Sequence, residues 1–578
     1  MKRRLCAVVF LLLAIAASAA GQSAPAEFLR GVVALHNFEY EEANEAFKRV
    51  QNSDPDFALA YWGEAMTYHQ TLWRNEDIAA GRRALIRLGA TPAARASKTT
   101  IPKEQALLAA VDALFGEDDV AARRAAYADA MRALYTRHPD DADVASFYAL
   151  ALLGTMSRSL IGYVDNHEGH SASLAGSDTQ QRVADILGKV LLSHPEHPGA
   201  LHYLLHNYDD PEHARLALPS ARTYAKVAPQ SSHALHMPAH IFVQLGMWED
   251  AAASDSAAFA ASDAWVKAKG LSPAMRSYHA LSWLQYELLQ LGRYEEAWAT
   301  IAELAPSVKA SGDLTLLSDL SSMRARYVVE TRRWDILANE RDFGNVNELF
   351  AIGISAARSG NGPLAELARQ GLATRAQSEQ EGDLRPAIAI MEREVAALIE
   401  LAAGRREQAV EILEAATQAE LKLPPPLGLP APIKPAPELL GEVLLELGRP
   451  AEAIAPFRQA LSRNANRTLS RLGLARASAA LGQQDAAREE YRHVLDAYAR
   501  ADGDRPEIGE AKAALAGNVV GPATWMGSGR GIIVAGVAGS IATLVLVAWR
   551  RRTWRSGAPR ARLPISRAER RRRDRARR

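Results

Sequence analysis

The sequence predicts an all-α protein built as a solenoid of helical hairpins, and three observations lead to this prediction. Segments rich in alanine, leucine, glutamate and arginine dominate, whereas runs of β-branched residues are scarce. The stretches 444–461 and 478–495 align at a shift of 34 residues, which places Gly448 on Gly482. At 578 residues the chain is also too long for one compact core.

The N-terminus predicts export from the cytoplasm. Residues 1–21 have the pattern of a secretory signal peptide, with a basic start at Lys2, Arg3 and Arg4, an apolar run and small residues at the end. The only cysteine, Cys6, lies in this segment. The mature protein is therefore expected to contain neither a disulfide nor a thiolate metal site.

Residues 22–515 are predicted to form the solenoid. Gly246 and Gly292 mark turns between paired helices, because glycine accepts a positive φ there, and an alanine five residues further on lets the two helices approach closely. These two glycines are 46 residues apart, so the repeats are irregular and carry insertions. The segment 423–438 contains seven prolines and predicts a stiff spacer between repeats.

This pattern of helix, glycine and helix, followed by a small and then an aromatic residue, resembles the tetratricopeptide repeat (TPR) family. The resemblance covers most of residues 24–515. It implies a superhelix whose first helices line a concave groove, and grooves of this family hold peptides or protein partners. Residues 197–248, with "HMPAHIF", also resemble a group of bacterial exported TPR proteins that share an HMPxHIF-type segment. That second resemblance implies a fold and no activity.

The C-terminus predicts a membrane anchor. After a linker over 516–530, residues 531–549 form 19 uncharged positions, enough to cross a hydrocarbon core of about 30 Å. The tail, 550–578, carries 14 arginines and only two acidic residues, so the positive-inside rule places it in the cytoplasm. These features predict a single-pass protein of the inner (plasma) membrane with a periplasmic body. A buried core helix is the alternative interpretation of 531–549.

The charges that sum to a net charge of +1 are distributed unevenly along the chain. The basic tail and signal peptide leave the body with a charge of about −14. An acidic body binds nucleic acid poorly, so no nucleic-acid partner is expected. The basic tail suits anionic lipid headgroups, which makes the inner membrane its expected partner.

Histidines concentrate in one part of the chain, since eight of 15 lie within 194–240. If Gly246 is the turn between the two helices of its repeat, three of these histidines fall at positions 2, 5 and 9 of the first helix of that repeat. Two more fall at positions 5 and 9 of the first helix of the preceding repeat. In the TPR family these positions face the groove. Five histidines are therefore predicted to point into one groove from two adjacent helices: His202, His206, His233, His236 and His240.

These histidines predict a site for Zn, Cu or Ni, because imidazoles four residues apart share a helix face and bind these metals without thiolates. Two other interpretations remain open. The groove binds a peptide or small ligand with no cofactor, or the histidines form a structural hydrogen-bond network. Secondary candidates for the same groove are His36, His69, His279, Asp209 and His213.

Pro238 lies among the histidines and removes the hydrogen bond that its amide would give to the carbonyl of Ala234. A helix interior loses about 3 kcal/mol from such a proline, which suggests a shaped site rather than a plain repeat. In the alternative interpretation the helix begins at Pro238, and His233 and His236 lie in the preceding loop.

Two functions are compatible with these features. The first is a membrane-anchored extracytoplasmic scaffold whose groove binds a protein, a peptide or a metal. The second is a metal-dependent, hydrolase-like enzyme in which the histidines leave a position open for water and Glu64 is the candidate base. The sequence contains no HExxH, phosphate-loop or nucleophile-elbow motif, which favours the non-enzymatic function.

Overall fold

The computed structural model describes residues 24–156, 178–503 and 505–517, and this part of the chain is almost entirely helical. The predicted signal peptide (1–21), most of the linker, the predicted transmembrane segment (531–549) and the basic tail lie outside the described residues. Among the described helices, none has both the length and the apolar character that crossing a bilayer requires.

The N-terminal half begins with eight helices and one two-stranded hairpin. The helices up to residue 156 are α1 (Ala24–His36), α2 (Tyr40–Ser53), α3 (Ala58–Thr67), α4 (Ile78–Leu88), α5 (Pro92–Ala96), α6 (Pro102–Leu114), α7 (Val120–Arg137) and α8 (Ala142–Gly154). The strands, which the sequence did not predict, are β1 (His69–Gln70) and β2 (Asn75–Glu76), paired antiparallel.

The rest of the described chain continues the helical array, with short 3-10 turns at Pro273–Met275, Trp334–Ile336, Glu379–Leu384 and Tyr498–Arg500. The helices are α9 (Asp178–Ser193), α10 (Pro198–Asn207), α11 (Ala214–Val227), α12 (Ser232–Gln244), α13 (Trp248–Lys269), α14 (Tyr278–Gln290), α15 (Tyr294–Ser311), α16 (Leu314–Thr331), α17 (Val346–Arg358), α18 (Gly362–Gln377), α19 (Arg385–Ala402), α20 (Arg406–Glu420), α21 (Ala436–Glu446), α22 (Pro450–Arg463), α23 (Thr468–Ala480), α24 (Gln484–Ala497) and α25 (Pro506–Leu515).

The predicted all-α hairpin architecture is confirmed. Consecutive helices pack side by side as pairs, such as α12 with α13 and α23 with α24. The turn glycines have the left-handed backbone that the sequence analysis assigned to them, with φ of 64° at Gly246, 69° at Gly292 and 72° at Gly448. Each turn reverses the chain within a few residues, so the first helices of successive hairpins lie next to one another.

Helix α12 runs through Pro238 without ending, from Ser232 to Gln244. The hydroxyl of Ser231 caps its N-terminus by accepting a hydrogen bond from the amide of Ala234 at 3.2 Å. The alternative in which the helix begins at Pro238 is therefore wrong. Because the helix starts before its first histidine, it carries all three of its histidines on one continuous stripe.

The first helices of the hairpins are buried on nearly every side. All residues of 234–244 in α12 and of 346–357 in α17 are buried. The sequence predicts an open concave groove along these helices. The structure instead covers them with other parts of the same chain, so the polar residues of their inner faces have partners within the protein.

The proline-rich segment is part of this cover and is not an exposed spacer. It joins α20 to α21, and residues 428–441 are all buried. Gln244 of α12 donates a hydrogen bond to the carbonyl of Pro426 at 3.0 Å. Gly428 lies so close to Trp283 of α14 that a Cβ there would be 2.4 Å from the indole ring. The prolines prevent a helix over 424–434, and this irregular segment lies against two first helices.

Hairpins that are far apart in sequence also contact one another. The indole of Trp248, at the start of α13, donates to the carbonyl of Asn466 before α23 at 3.1 Å. Near the other end of α13, the indole of Trp265 donates to Glu42 of α2 at 2.6 Å. Helix α13 therefore connects the first hairpin to the repeats near the C-terminal end of the array.

A buried cluster of charges, centred on Arg467, holds three first helices together. The guanidinium, whose residue is 0% exposed, contacts Glu438 of α21 at 2.8 Å and Glu330 of α16 at 2.6 Å. It also donates to the phenol oxygen of Tyr286 of α14 at 3.3 Å. The two carboxylates require this cation because burial removes them from water.

Substitution of Arg467 by methionine is expected to destabilise the protein by about 3–5 kcal/mol, because Glu330 loses its ion-pair partner and Glu438 keeps only Lys434, at 2.8 Å. Arg449→Ala is the matched control, since Arg449 forms its ion pair with Glu452 at the surface and is expected to cost less than about 1 kcal/mol. Urea unfolding of the full chain, followed by circular dichroism, measures both values. Equal losses of unfolding free energy in the two variants would contradict the role of Arg467 as the cation of the buried charge cluster.

Candidate functional site

Three neighbouring first helices, α10, α12 and α14, carry six histidines that divide into two groups. The structure does not bring the five predicted histidines into one set. We call His236, His240 and His279 the inner cluster, and His202, His206 and His233 the outer cluster. In each cluster the three ring nitrogens that face one another lie within 4.8 Å.

The inner cluster is fully buried, and its histidines converge through their Nε2 atoms. His236 Nε2 lies 3.0 Å from His240 Nε2 and 3.1 Å from His279 Nε2. The opposite nitrogens of two rings contact carboxylates: His236 Nδ1 lies 2.5 Å from Asp255, and His240 Nδ1 lies 2.8 Å from Asp209. An Nδ1–H donated to a carboxylate leaves the Nε2 lone pair directed at the centre of the cluster.

A further layer of polar groups positions these carboxylates. Glu287 lies beside Asp255, and burial together with the negative charge of Asp255 raises the pKa of Glu287 well above its usual range. Burial also raises the pKa of Asp209 to about 8, and Gln244 donates to its second oxygen at 3.4 Å.

Trp283 closes the inner cluster on the side of the proline-rich segment. Its ring centroid lies 4.2 Å from that of His240 and 5.1 Å from that of His236. The same indole contacts Gly428, whose φ is 153°. A side chain at position 428 would displace the indole, so glycine here allows the segment to cover the cluster.

The outer cluster has the same arrangement of facing nitrogens. His202 Nε2 lies 3.0 Å from His233 Nε2 and 3.1 Å from His206 Nε2. His202 Nδ1 contacts the backbone carbonyl of His36 at 2.6 Å. A carbonyl only accepts, so His202 Nδ1 carries the proton, and in the neutral ring Nε2 is a lone pair that faces the other two rings.

Aromatic rings surround the outer cluster. The Phe38 ring contacts all three imidazoles, with centroid distances of 4.4 Å to His202, 5.9 Å to His206 and 5.6 Å to His233. Trp73 packs edge-on against His233, with ring centroids 5.4 Å apart. These rings exclude water from the centre of the cluster on that side, which strengthens electrostatic interactions there.

The backbone of Phe38 is strained in this position. Phe38 lies at the turn between α1 and α2, where most other hairpins have glycine, and its φ is 58°. A left-handed conformation costs an ordinary residue about 1–2 kcal/mol relative to glycine. The strain is concentrated at the one residue whose ring contacts all three histidines of the outer cluster.

A single cation fits the convergence of Nε2 atoms in each cluster. An imidazole nitrogen carries one proton or one lone pair, and it forms one hydrogen bond in the plane of its ring. His236 Nε2 and His202 Nε2 each face two other nitrogens. One cation accepts lone pairs from all three rings, and two ligands at about 2.0–2.1 Å from a tetrahedral metal lie about 3.4 Å apart, close to the observed separations.

A third group, His36, Asp143 and His197, differs because protons satisfy it. Both rings donate from Nε2 to Asp143 Oδ1, at 3.0 and 3.2 Å. His197 Nδ1 accepts from the amide of Ala200, and His36 Nδ1 accepts from the hydroxyl of Tyr203. Burial raises the pKa of Asp143, but the hydrogen bonds from His197 and His36 lower it by more. This group is a hydrogen-bond network.

The remaining candidates lie in other settings. His213 Nδ1 contacts Asp210 at 2.9 Å. His69 Nδ1 lies 3.3 Å from Glu76. Glu64, the candidate catalytic base, forms its contacts with Gln51, Arg87 and other residues of the first repeats rather than with the histidine clusters, and its carboxylate is paired there. A base role for Glu64 has no support from this placement.

The sequence analysis ranked one contributor too low and missed two others. His279 ranks there as secondary, whereas it completes the inner cluster. Asp255 was missed because it lies on the second helix of a hairpin, α13, where no histidine spacing leads to it. Trp283 is the residue one turn after His279, a spacing that places both on one face of α14 and signals its contact.

A sequence model of the tetratricopeptide repeat family matches residues 438–467. No curated protein matches the chain in sequence. Similar solved structures include a tetratricopeptide repeat protein from Parabacteroides merdae (15% identity, 50% of this chain and 98% of that one, TM-score 0.28). They also include the Cut9–Hcn1 complex of the APC/C (12%, 85% and 96%, 0.27) and yeast Tom70 (11%, 86% and 96%, 0.27). Structural similarities with TM-scores this low give no information about function.

The burial of His69 predicts a pH dependence of stability. Burial lowers its pKa from 6.5 to about 4; the attraction of Glu76 opposes the shift, and the nearby Arg74, Arg123 and Arg124 add to it. Because the folded-state pKa is the lower one, the unfolded chain binds the proton first, and stability falls as the pH drops from about 6.5 to about 4. The full loss is up to about 3 kcal/mol.

His69→Gln is expected to remove this part of the pH dependence. Urea unfolding of the full chain at pH 7 and at pH 4 measures it in wild type, in His69→Gln and in the control His493→Ala, whose imidazole is exposed. The control is expected to follow wild type. Parallel pH profiles for wild type and His69→Gln would show that His69 does not titrate as its burial implies.

Proposed function

We propose that this chain, a tetratricopeptide-repeat protein, uses its helical scaffold to bind a divalent transition metal ion at the inner cluster, with His236, His240 and His279 as ligands. The convergence of their three Nε2 atoms, at 3.0 and 3.1 Å around His236, is the observation that carries the proposal. Asp255 and Asp209 support it, since carboxylates commonly fix the tautomer of metal-binding histidines.

The donor set restricts the metal. All three ligand atoms are imidazole nitrogens, which suit Zn, Cu and Ni and do not suit Mg or Ca. Three protein ligands leave a fourth position in a tetrahedral site. The inner cluster is buried, with His240 at 0% and His279 at 5% exposure, and Trp283 covers it. This enclosure favours a firmly held ion over a catalytic one.

The scaffold itself supports a protein partner, because tetratricopeptide repeats generally form interaction surfaces. The inner faces of the first helices are occupied by the chain, so a partner would use the outer faces of the hairpins. The pattern of residues 1–21 and the apolar stretch 531–549 support a periplasmic body anchored in the inner membrane. The acidic body supports a function without nucleic acid.

The proposal predicts that His279→Ala lowers the metal content of the purified full chain by one equivalent. The reason is that two imidazoles hold a buried ion far more weakly than three. The control is His493→Ala, which removes an exposed histidine and is expected to leave the metal content unchanged. Inductively coupled plasma mass spectrometry on untagged protein measures the metal, and circular dichroism measures the helical content.

His279→Gln is the second variant, since it keeps most of the volume of the buried ring. Loss of one equivalent in either folded variant, relative to wild type, supports the ligand assignment. Equal metal content in wild type and in folded His279→Gln would contradict it. So would wild-type protein that takes up no Zn²⁺ or Cu²⁺ when the metal alone is added after chelation.

A further inference from the structure

We propose a second metal site at the outer cluster, formed by His202, His206 and His233, so that the chain binds two ions. This inference rests on the proposed function for the chemistry of imidazole ligands, but its three ligands are different residues. Its ligand atoms are again three Nε2 nitrogens, at 3.0 and 3.1 Å around His202. The contact from His202 Nδ1 to a carbonyl oxygen fixes the tautomer that a metal requires.

The two sites share helix α12. On α12, His233 serves the outer cluster and His236, three residues later, serves the inner one. On α10, His206 serves the outer cluster, and Asp209, just beyond the helix, holds His240 of the inner one. Residues three apart on a helix have Cβ atoms about 5–6 Å apart, so ions at the two clusters are neighbours.

The two sites differ in access. All histidines of the inner cluster are buried, whereas His233 and the Trp73 beside it are only half-buried. His233 therefore lies closer to solvent than any histidine of the inner cluster. Three ligands leave one coordination position there for water or a small exogenous donor. The aromatic ring of Phe38 covers the cluster from the turn of the first hairpin.

The chemistry of the donors selects the metal class. Six imidazoles without a thiolate or a carboxylate ligand favour Cu²⁺ or Zn²⁺ over harder cations. Among divalent first-row metals, Cu²⁺ binds such nitrogen donors most strongly. Copper is also a useful probe, because two neighbouring Cu²⁺ ions broaden each other's electron paramagnetic resonance signal and a single ion does not.

The test is a titration of the chelator-stripped, untagged full chain with Cu²⁺ alone. Wild type is expected to bind two equivalents, and its copper signal is expected to be broadened by the second ion. His233→Ala and His279→Ala are each expected to bind one equivalent with a sharp signal, and the double variant none. EDTA is expected to remove copper from the outer site faster than from the inner site, so His279→Ala loses its ion faster than His233→Ala.

The outcomes separate this inference from the proposed function. If wild type binds one equivalent of Cu²⁺, and this equivalent is kept in folded His233→Ala and lost in His279→Ala, the second site is overturned and the inner site stands. If His233→Ala loses bound Cu²⁺ and His279→Ala does not, the outer site is supported and the inner site is overturned. Loss of all copper in either single variant indicates one shared site and overturns the second site. His233→Gln replaces His233→Ala if the alanine variant loses its helical content.

Discussion

The burial of the inner faces of the first helices is the constraint on which the rest of this structure depends. These faces carry arginine, glutamate, aspartate and histidine, and a buried polar group without a partner costs several kcal/mol. Because solvent does not reach them, partners have to come from within the chain. The Arg467 ion pairs with Glu438 and Glu330 are one solution, and the histidine clusters with Asp209 and Asp255 are another.

The same constraint explains the role of the proline-rich segment. A helix in its place would be a cylinder about 10 Å across, whereas an irregular segment of prolines and glycine fits between helices. Its carbonyls need donors, and Gln244 and Arg463 supply them. Through Gln244, which also contacts Asp209, the segment is connected to the inner cluster. The cover of the array and the orientation of His240 are therefore coupled.

The sequence predicted the helical hairpins correctly, because the glycine turns and the helix periodicity are local properties. Gly246 and Gly448 have the left-handed backbone predicted for them. It also identified the histidine stripe on α12. It did not divide the histidines into two clusters, since the pairing of His202 with His233 and of His236 with His279 depends on how three hairpins stack. The closure of the groove was missed for the same reason: contacts between distant repeats leave no periodic signal.

The turns show how a departure from a repeat can indicate a site. Most hairpins reverse at a glycine, which adopts the left-handed backbone without strain. Phe38 and Arg332 occupy this position with φ of 58° and 57°. In both cases the side chain makes a contact that glycine cannot: Phe38 packs on the outer cluster, and Arg332 donates to Glu442 at 2.8 Å. In these two turns the strained backbone therefore places a side chain against a helix of another hairpin.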